Sequence, residues 1–313
     1  VLVLAAAIGW IVAGRVLAPL KRITGTAQRV SEEHLGERIP VTGPHDELRE
    51  LGETLNSMLD RLADSFDTQR RFVANASHEL RSPLTVIRSE AEVALANPQP
   101  DLDELRGMAE SVVQASRRTE ALLASLLILA RSQRGLLQSE PVDLAAVVGK
   151  AADAARQTAG HESVQLTTEL APAPVEGDAG LLERLAANLL ENGVRYNRPG
   201  GFVDVRTRAG VGTVELRVEN SGPPVEPEAA ARLAEPFERL GRDADGRGAG
   251  LGLSIVRAVS EAHGGTLSIE PRRGGGLVVA VRLPRGEPRG AAGTSAGTAA
   301  RVRDSRPSAR ARA

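Results

Sequence analysis

Residues 74–84 read ANASHELRSPL and set one histidine, His78, between Ser77 and Glu79, with Ser82 four positions on and Pro83 five. An imidazole with one ring nitrogen free of its proton is a nucleophile, and a carboxylate accepting a hydrogen bond from the other nitrogen strengthens it. Glu79 is the neighbouring carboxylate. More than a hundred residues later Asn188 and Asn192 stand four apart, on one face of a helix. Amide oxygens are hard ligands suited to Mg²⁺, which takes few protein contacts and keeps waters and phosphates. Residues 246–256, GRGAGLGLSIV, put Gly248, Gly250 and Gly252 at the opening of an apolar helix. Bare amides at a helix N-terminus bind phosphate, and glycine leaves the approach open. This loop lacks the Lys-Ser/Thr end of a P-loop and follows no strand, as a dinucleotide fingerprint would. Each feature alone has an ordinary explanation: a solvated histidine, a pair of surface or capping asparagines, a flexible turn.

The elements that carry these residues follow from apolar spacing. Val73, Ala76, Leu80, Pro83, Ile87, Ala91 and Ala94 step by three and four, which is one helix stripe. His78 lies two residues from Ala76 and from Leu80, about 200° round the helix from each, and so faces outward with Asn75 and Ser82. Pro83 removes the hydrogen bond to the Glu79 carbonyl and allows a bend there. NPQPD ends the helix, and Leu105, Met108, Val112, Ala115, Thr119, Leu122, Leu126 and Leu129 mark the return helix. A hairpin with this much apolar surface is expected to pair with a second copy as a four-helix bundle.

Upstream, VLVLAAAIGWIVAG is apolar to Gly14 and is followed by Arg15, Lys21 and Arg22. Fourteen residues cover roughly 21 Å of a bilayer core of about 30 Å. The expectation is the inner end of a transmembrane helix, with the charge behind it placing the rest of the chain in the cytoplasm. Leu20, Ile23, Ala27 and Val30, then Leu48, Leu51, Leu55, Met58 and Leu62, give two short amphipathic helices around a Gly/Pro connector. Pro19 opens the first and DEL at 46–48 the second, which resembles the HAMP linker of bacterial receptors.

Composition narrows the classes. Among 313 residues, 42% are hydrophobic and the net charge is −1, so no global field draws nucleic acid, and 2% aromatics leave no base-stacking platform. The lack of cysteine excludes disulfides, thiolate zinc sites and cysteine nucleophiles. From about Pro141 to Pro284 helices mix with the β-rich runs SVQLTTEL, FVDVRTRAGVGTVELRVEN and GGLVVAVRLP, an α+β layout. After Pro284 the Arg-rich chain carries almost no large apolar residue and reads as disordered.

Phe72, Ser77, His78, Glu79, Leu80, Arg81, Pro83 and Leu84 together resemble the phosphoacceptor box of sensor histidine kinases. In order and spacing, Asn188/Asn192, VENSGPP at 218–224, EPFERL at 235–240 and the glycine loop resemble the N, first G, F and second G boxes of the histidine-kinase ATPase domain, the Bergerat fold. The resemblance implies that His78 attacks the γ-phosphate of ATP and that Ser82, where the family more often has threonine, could position water for the reverse reaction. It implies Asn192 as the Mg²⁺ ligand with Asn188 in support, Arg195 on phosphate and Tyr196 beside adenine. Gly248, Gly250 and Gly252 would cradle the phosphates, with Arg239 and Arg247 as further phosphate contacts.

One departure matters. The first G box usually reads Asp-x-Gly-x-Gly; here Asn220 stands for the acid and Pro224 for the last glycine, while Gly222 remains. An asparagine carbonyl can accept the same adenine hydrogen bond without charge. The expected protein is multidomain: a truncated transmembrane helix (1–14), a HAMP-like linker (15–65), an all-α dimerisation and phosphoacceptor hairpin (66–135), an α+β Bergerat-type ATPase sandwich (136–284) and a tail (285–313). It would autophosphorylate His78 from ATP with Mg²⁺ and pass the group to an aspartate of a response regulator receiver domain, as a homodimer in the bacterial cell membrane, without nucleic acid. An inert dimeric scaffold and an ATP-driven clamp remain the alternatives.

Overall fold

A computed structural model of the chain describes residues 2–3, 9–10, 38–39, 47–97, 99–132, 139–239 and 249–286. The chain divides between Ala124 and Ser125 into a helical unit and a sheet-containing unit. Helix α1, Glu47–Ala96, has 50 residues, about 75 Å at 1.5 Å per residue. The second linker helix and the first helix of the hairpin are therefore continuous, because the three- and four-residue apolar steps do not lapse near residue 65. Helix α1 also runs unbroken through Pro83. Helix α2, Leu102–Ser132, opens on a capping box: Asp101 Oδ1 accepts from Glu104 N–H at 2.7 Å, and Glu104 Oε2 accepts from Asp101 N–H at 3.3 Å.

The expected seams are only partly covered. On α2, Ala115 and Leu122 are buried and Met108, Val112 and Thr119 half-buried; on α1, Ala76, Leu80, Pro83, Ile87 and Ala94 are half-buried. Val73 and Ala91, assigned to that stripe by spacing, are exposed, as are Leu51, Met58 and Leu62 further up α1. In the linker, Asn56 clasps the backbone of buried Ile39. Its Oδ1 accepts from Ile39 N–H at 2.8 Å and its Nδ2 donates to the Ile39 carbonyl at 3.0 Å, with Arg38 and Asp60 paired at 2.6 Å beside them. The first linker stripe, the basic residues 15, 21 and 22, most of residues 1–14 and the tail from 287 lie outside the described residues. Among the described residues no helix is long and apolar enough to cross a membrane.

The second unit is a two-layer sandwich. Strands β2 (Gln165–Leu170), β4 (Phe202–Ala209), β5 (Thr213–Asn220), β7 (Leu277–Pro284) and β6 (Thr266–Pro271) form one sheet in the order β2-β4-β5-β7-β6, parallel between β2 and β4 and antiparallel elsewhere. A smaller ribbon pairs β1 (Glu140–Asp143) with β3 (Pro174–Gly177). Strict alternation explains the two faces. Val203, Val205 and Thr207 on β4, and Val214, Leu216 and Val218 on β5, are buried, while Asp204, Arg206, Glu215, Arg217 and Glu219 between them face outward. There Arg206 pairs with Asp204, Arg282 with Glu215 and Arg272 with Glu219.

Helices α3 (Leu144–His161), α4 (Ala179–Arg195) and α6 (Gly252–Ala262), with the short α5 (Pro227–Arg232), complete the unit. Helix α4 packs on α3, α6, β4 and β5 through Leu182, Leu185, Leu189 and Leu190. Gly193 permits close seating, since a Cβ there would lie 3.1 Å from Val203 Cγ1. Two polar ties fix the frame around α4. Asp178 caps α4 by accepting from Leu181 N–H at 3.1 Å, and its own N–H donates to Nε2 of buried His263 at 3.1 Å. His263 Nδ1 in turn donates to the Val259 carbonyl at 2.7 Å, which holds the end of α6 against the start of α4.

Asp143 does double duty: one carboxylate oxygen accepts from Ala145 N–H at 3.1 Å, capping α3, and from Ala173 N–H at 2.9 Å, holding the approach to β3. Loss of such a cap costs about 1–2 kcal/mol. Asp143→Ala is expected to lower the melting midpoint of the sheet unit by about 3–6 °C in calorimetry, with the fold retained.

Candidate functional site

Helix α4 brings Asn192 and Tyr196 to one wall of a cleft whose other walls are the end of β5, the start of β7 and the start of α6. The cleft, counted with the open solvent at its mouth, spans about 700 Å³. Leu189, Val218, Leu233, Leu253, Leu277 and Val279 make its depth apolar, and Asn220 stands among them as a buried amide. Asn192, Glu238, Arg239, Gly250 and Gly252 also line it. Gly252 is the first residue of α6 and lies so close to Asn192 that a Cβ would meet its Nδ2 at 2.8 Å. The leading residue of that helix, Leu251, provides no side-chain cap, so the first N–H groups of α6 stay available to an anion. Gly250 adopts φ +69°, and its carbonyl accepts from Phe237 N–H at 2.9 Å. Phe237 itself has φ +69° without being glycine. The EPFERL segment and the glycine loop are thus stapled together.

Six of the residues singled out by sequence converge here: Asn192, Tyr196, Asn220, Arg239, Gly250 and Gly252. Gly222 supports the wall from behind, where a Cβ would lie 2.3 Å from the Tyr196 carbonyl oxygen. Asn188 is buried but does not line the cleft; its Nδ2 is spent on the Arg184 carbonyl at 2.9 Å, one turn back on its own helix. Arg195 is exposed in the last turn of α4 and does not line the cleft either. Arg247 and Gly248 lie outside the described residues. Spacing did not single out the apolar walls, nor the turn Gly274–Gly276, whose three positive φ values press the chain against Asn220 and Gly222. The run of three glycines before LVVAVRLP was the available signal.

The chemistry of these donors fits a nucleoside triphosphate. Among the described residues Arg239 Nε is buried without a hydrogen-bond partner, which suits a phosphate oxygen. At Gly250 a Cβ would run into the Phe237–Glu238 backbone and at Gly252 into the Asn192 amide, so the bare backbone lies close against the cleft wall. Among the described residues no group of three or more His, Cys, Asp or Glu converges, so a cation here would rely on the Asn192 amide and a nucleotide's own phosphates, as Mg²⁺ does readily.

On α1, His78 and Ser82 are exposed and Glu79 half-buried. The expected Glu79 to His78 hydrogen bond is not formed, because adjacent helical side chains diverge by about 100°.

A mixed sheet roofed by helices, with a glycine-lined helix start facing a helix-borne asparagine across an apolar slot, defines an ATPase domain that follows a long helical hairpin. Comparison with known proteins places that class. Residues 11–64 match the HAMP domain, residues 68–135 the His Kinase A (phospho-acceptor) domain, and residues 177–287 the histidine kinase-, DNA gyrase B- and HSP90-like ATPases. The chain is 46% identical to the sensor protein CutS of Streptomyces coelicolor over 90% of its own length and 69% of that protein. It is 37% identical to the histidine-protein kinase/phosphatase MprB of Mycobacterium ulcerans over 87% of its length, spanning 54% of that relative. In fold it is similar to histidine kinase AdeS of Acinetobacter baumannii (TM-score 0.54, 24% identity, 66% of this chain and 98% of that one). It is also similar to histidine kinase ThkA solved with response regulator TrrA (TM-score 0.56, 19% identity, 77% of this chain and 68% of that one). The chain belongs to the sensor histidine kinases of two-component systems and is an ATP-dependent histidine kinase.

Proposed function

We propose that His78 is the phosphoacceptor and that the cleft between α4 and α6 holds the ATP that supplies it. The observation that carries this reading is the pairing of Asn192 with the open N-terminus of α6, where a Cβ at 252 would crowd the Asn192 amide. An imidazole nitrogen of His78 bonds to the γ-phosphorus in line with the departing oxygen, and ADP leaves. Mg²⁺ neutralises phosphate charge when bound, and Asn192 would hold it, with Asn188 steadying that face of α4. The α6 amides with Gly248, Gly250 and Gly252 cradle the phosphates, and Arg239 and Arg247 meet their oxygens. Tyr196 flanks the base, and Asn220, in the space kept by Gly222, meets its edge. Glu79 places a carboxylate beside the imidazole, and the Ser82 hydroxyl, one turn on, positions water when the phosphoryl group is removed.

The partner is an aspartate of a response regulator receiver domain, a reading supported by the relative solved with such a regulator. Assembly is as a homodimer, supported by the exposed Val73, Leu84, Val113, Leu123 and Leu127 of the hairpin. The apolar start of the chain anchors it in the bacterial cell membrane, with residues 15–313 on the cytoplasmic side.

Asn192→Ala tests the donor side. With Asn192 gone, labelling of the chain by γ-labelled ATP and Mg²⁺ is expected to fall about 100-fold or more, while circular dichroism stays unchanged, since Asn192 is a half-exposed side chain on the cleft wall. Undiminished labelling would remove Asn192 from the site.

A further inference from the structure

Asn220 ends β5 at the floor of the cleft, 7% exposed, with Leu189, Val218, Leu277 and Val279 around it. Its Oδ1 accepts from Leu277 N–H at 3.0 Å, and its Nδ2 donates to the Tyr196 carbonyl at 3.4 Å. These two bonds fix the orientation of the amide. Flipped, it would set its NH₂ against an N–H and its oxygen against a carbonyl oxygen. A carboxylate in this place would likewise point an oxygen at the Tyr196 carbonyl, which is the C-cap residue of α4. After both bonds, one lone pair on Oδ1 and one hydrogen on Nδ2 are unused. A buried polar group with spare capacity at the bottom of an apolar slot is completed by a ligand. What it offers is an acceptor and a donor together, where an acid offers acceptors alone.

We propose that Asn220 makes the base pocket accept purines with either an amino or an oxo group at position 6: a 6-amino group donates to Oδ1, and a 6-oxo group accepts from Nδ2. The apolar walls grip the faces of the ring and carry no preference between the two. Discrimination therefore falls to the buried polar group at the edge, and an amide serves both. This inference rests on the cleft being the nucleotide site, and its test separates the two claims.

The full chain is titrated with a fluorescent ATP analogue, which is then displaced by ATP, by inosine triphosphate and by purine riboside triphosphate, which has hydrogen at position 6. ATP and inosine triphosphate are expected to bind within about tenfold of each other, each at least about fivefold tighter than the unsubstituted purine. Inosine triphosphate binding no better than the unsubstituted purine overturns the proposal. Failure of ATP itself to displace or bind overturns the nucleotide reading and this inference with it. In Asn220→Asp the inosine form is expected to lose at least about tenfold more affinity than ATP does. An unchanged ratio of the two also overturns the proposal. The wild-type series needs no variant and stands even where Asn220→Asp fails to fold.

Discussion

Replacing His78 by glutamine is expected to abolish acid-labile, alkali-stable labelling from γ-labelled ATP, a fall of ~1000-fold or more, because removing the attacking group removes the step itself. The substitution isolates chemistry from folding. His78 is exposed on α1 and no hydrogen bond ties it to Glu79, so glutamine, a good helix former of similar reach, leaves the packing of α1 alone. The cleft is built from residues 189–279, none of them on α1, so displacement of a bound ATP analogue should match the wild type. Loss of label with retained nucleotide binding is the expected pair of results. Label that persists in the variant would remove His78 from the reaction, and ATP hydrolysis without any label on the wild-type protein would favour an ATP-driven clamp.

How far the sequence foretells this architecture depends on where each signal is stored. The hairpin was legible because a 3.6-residue period repeated over many turns is a local signal. Ala115, Thr119, Leu122 and Leu126 on α2 needed only their spacing. The β4–β5 hairpin was legible for the same reason, by its two-residue alternation. Strands β1 and β3 have four residues each, too short for a period to register, and what makes them strands is a partner distant in sequence. The continuity of α1 is written in the absence of any proline between Glu47 and Pro83, the single glycine there, Gly52, lying inside the helix.

In the site, residue type announced the donors, but contacts chose among them. Asn188 and Asn192 share a helix face, and spacing cannot tell which amide turns back onto its own carbonyl ladder. Here Asn188 does, leaving Asn192 to the cleft. Arg195 illustrates the same limit: its charge suits phosphate, yet its place on the exposed end of α4 keeps it off the wall. The role of Asn220 was legible as a departure from a motif, whereas its two backbone partners, Leu277 and Tyr196, belong to elements tens of residues away.

The largest structural effect is expected from a residue that touches no substrate. Gly276 has φ +90°, and a Cβ added there would lie 1.8 Å from the Asn220 carbonyl oxygen and 2.6 Å from Gly222 N. Its N–H donates to the Pro223 carbonyl at 2.8 Å, so the turn cannot swing outward without giving up that bond. Gly274 supplies the control: its φ of +93° carries the same backbone strain, but its Cβ would meet only the flexible Arg272 Nη1 at 3.5 Å. Gly274→Ala should therefore cost only the left-handed strain, about 1–2 kcal/mol, and lower the melting midpoint by roughly 2–8 °C with nucleotide affinity nearly intact. Gly276→Ala must add the displacement of the turn, a further ~3 kcal/mol or more. Moving residue 276 also drags Leu277 N–H off Asn220 Oδ1, which frees the amide that sits at the floor of the cleft. Its nucleotide affinity should fall at least about tenfold. Equal losses of stability and affinity in the two variants would mean that φ alone, and not the close approach to Asn220, shapes the base pocket. Unequal losses would show that the pocket floor is set by the close backbone approach of a residue that itself meets no nucleotide.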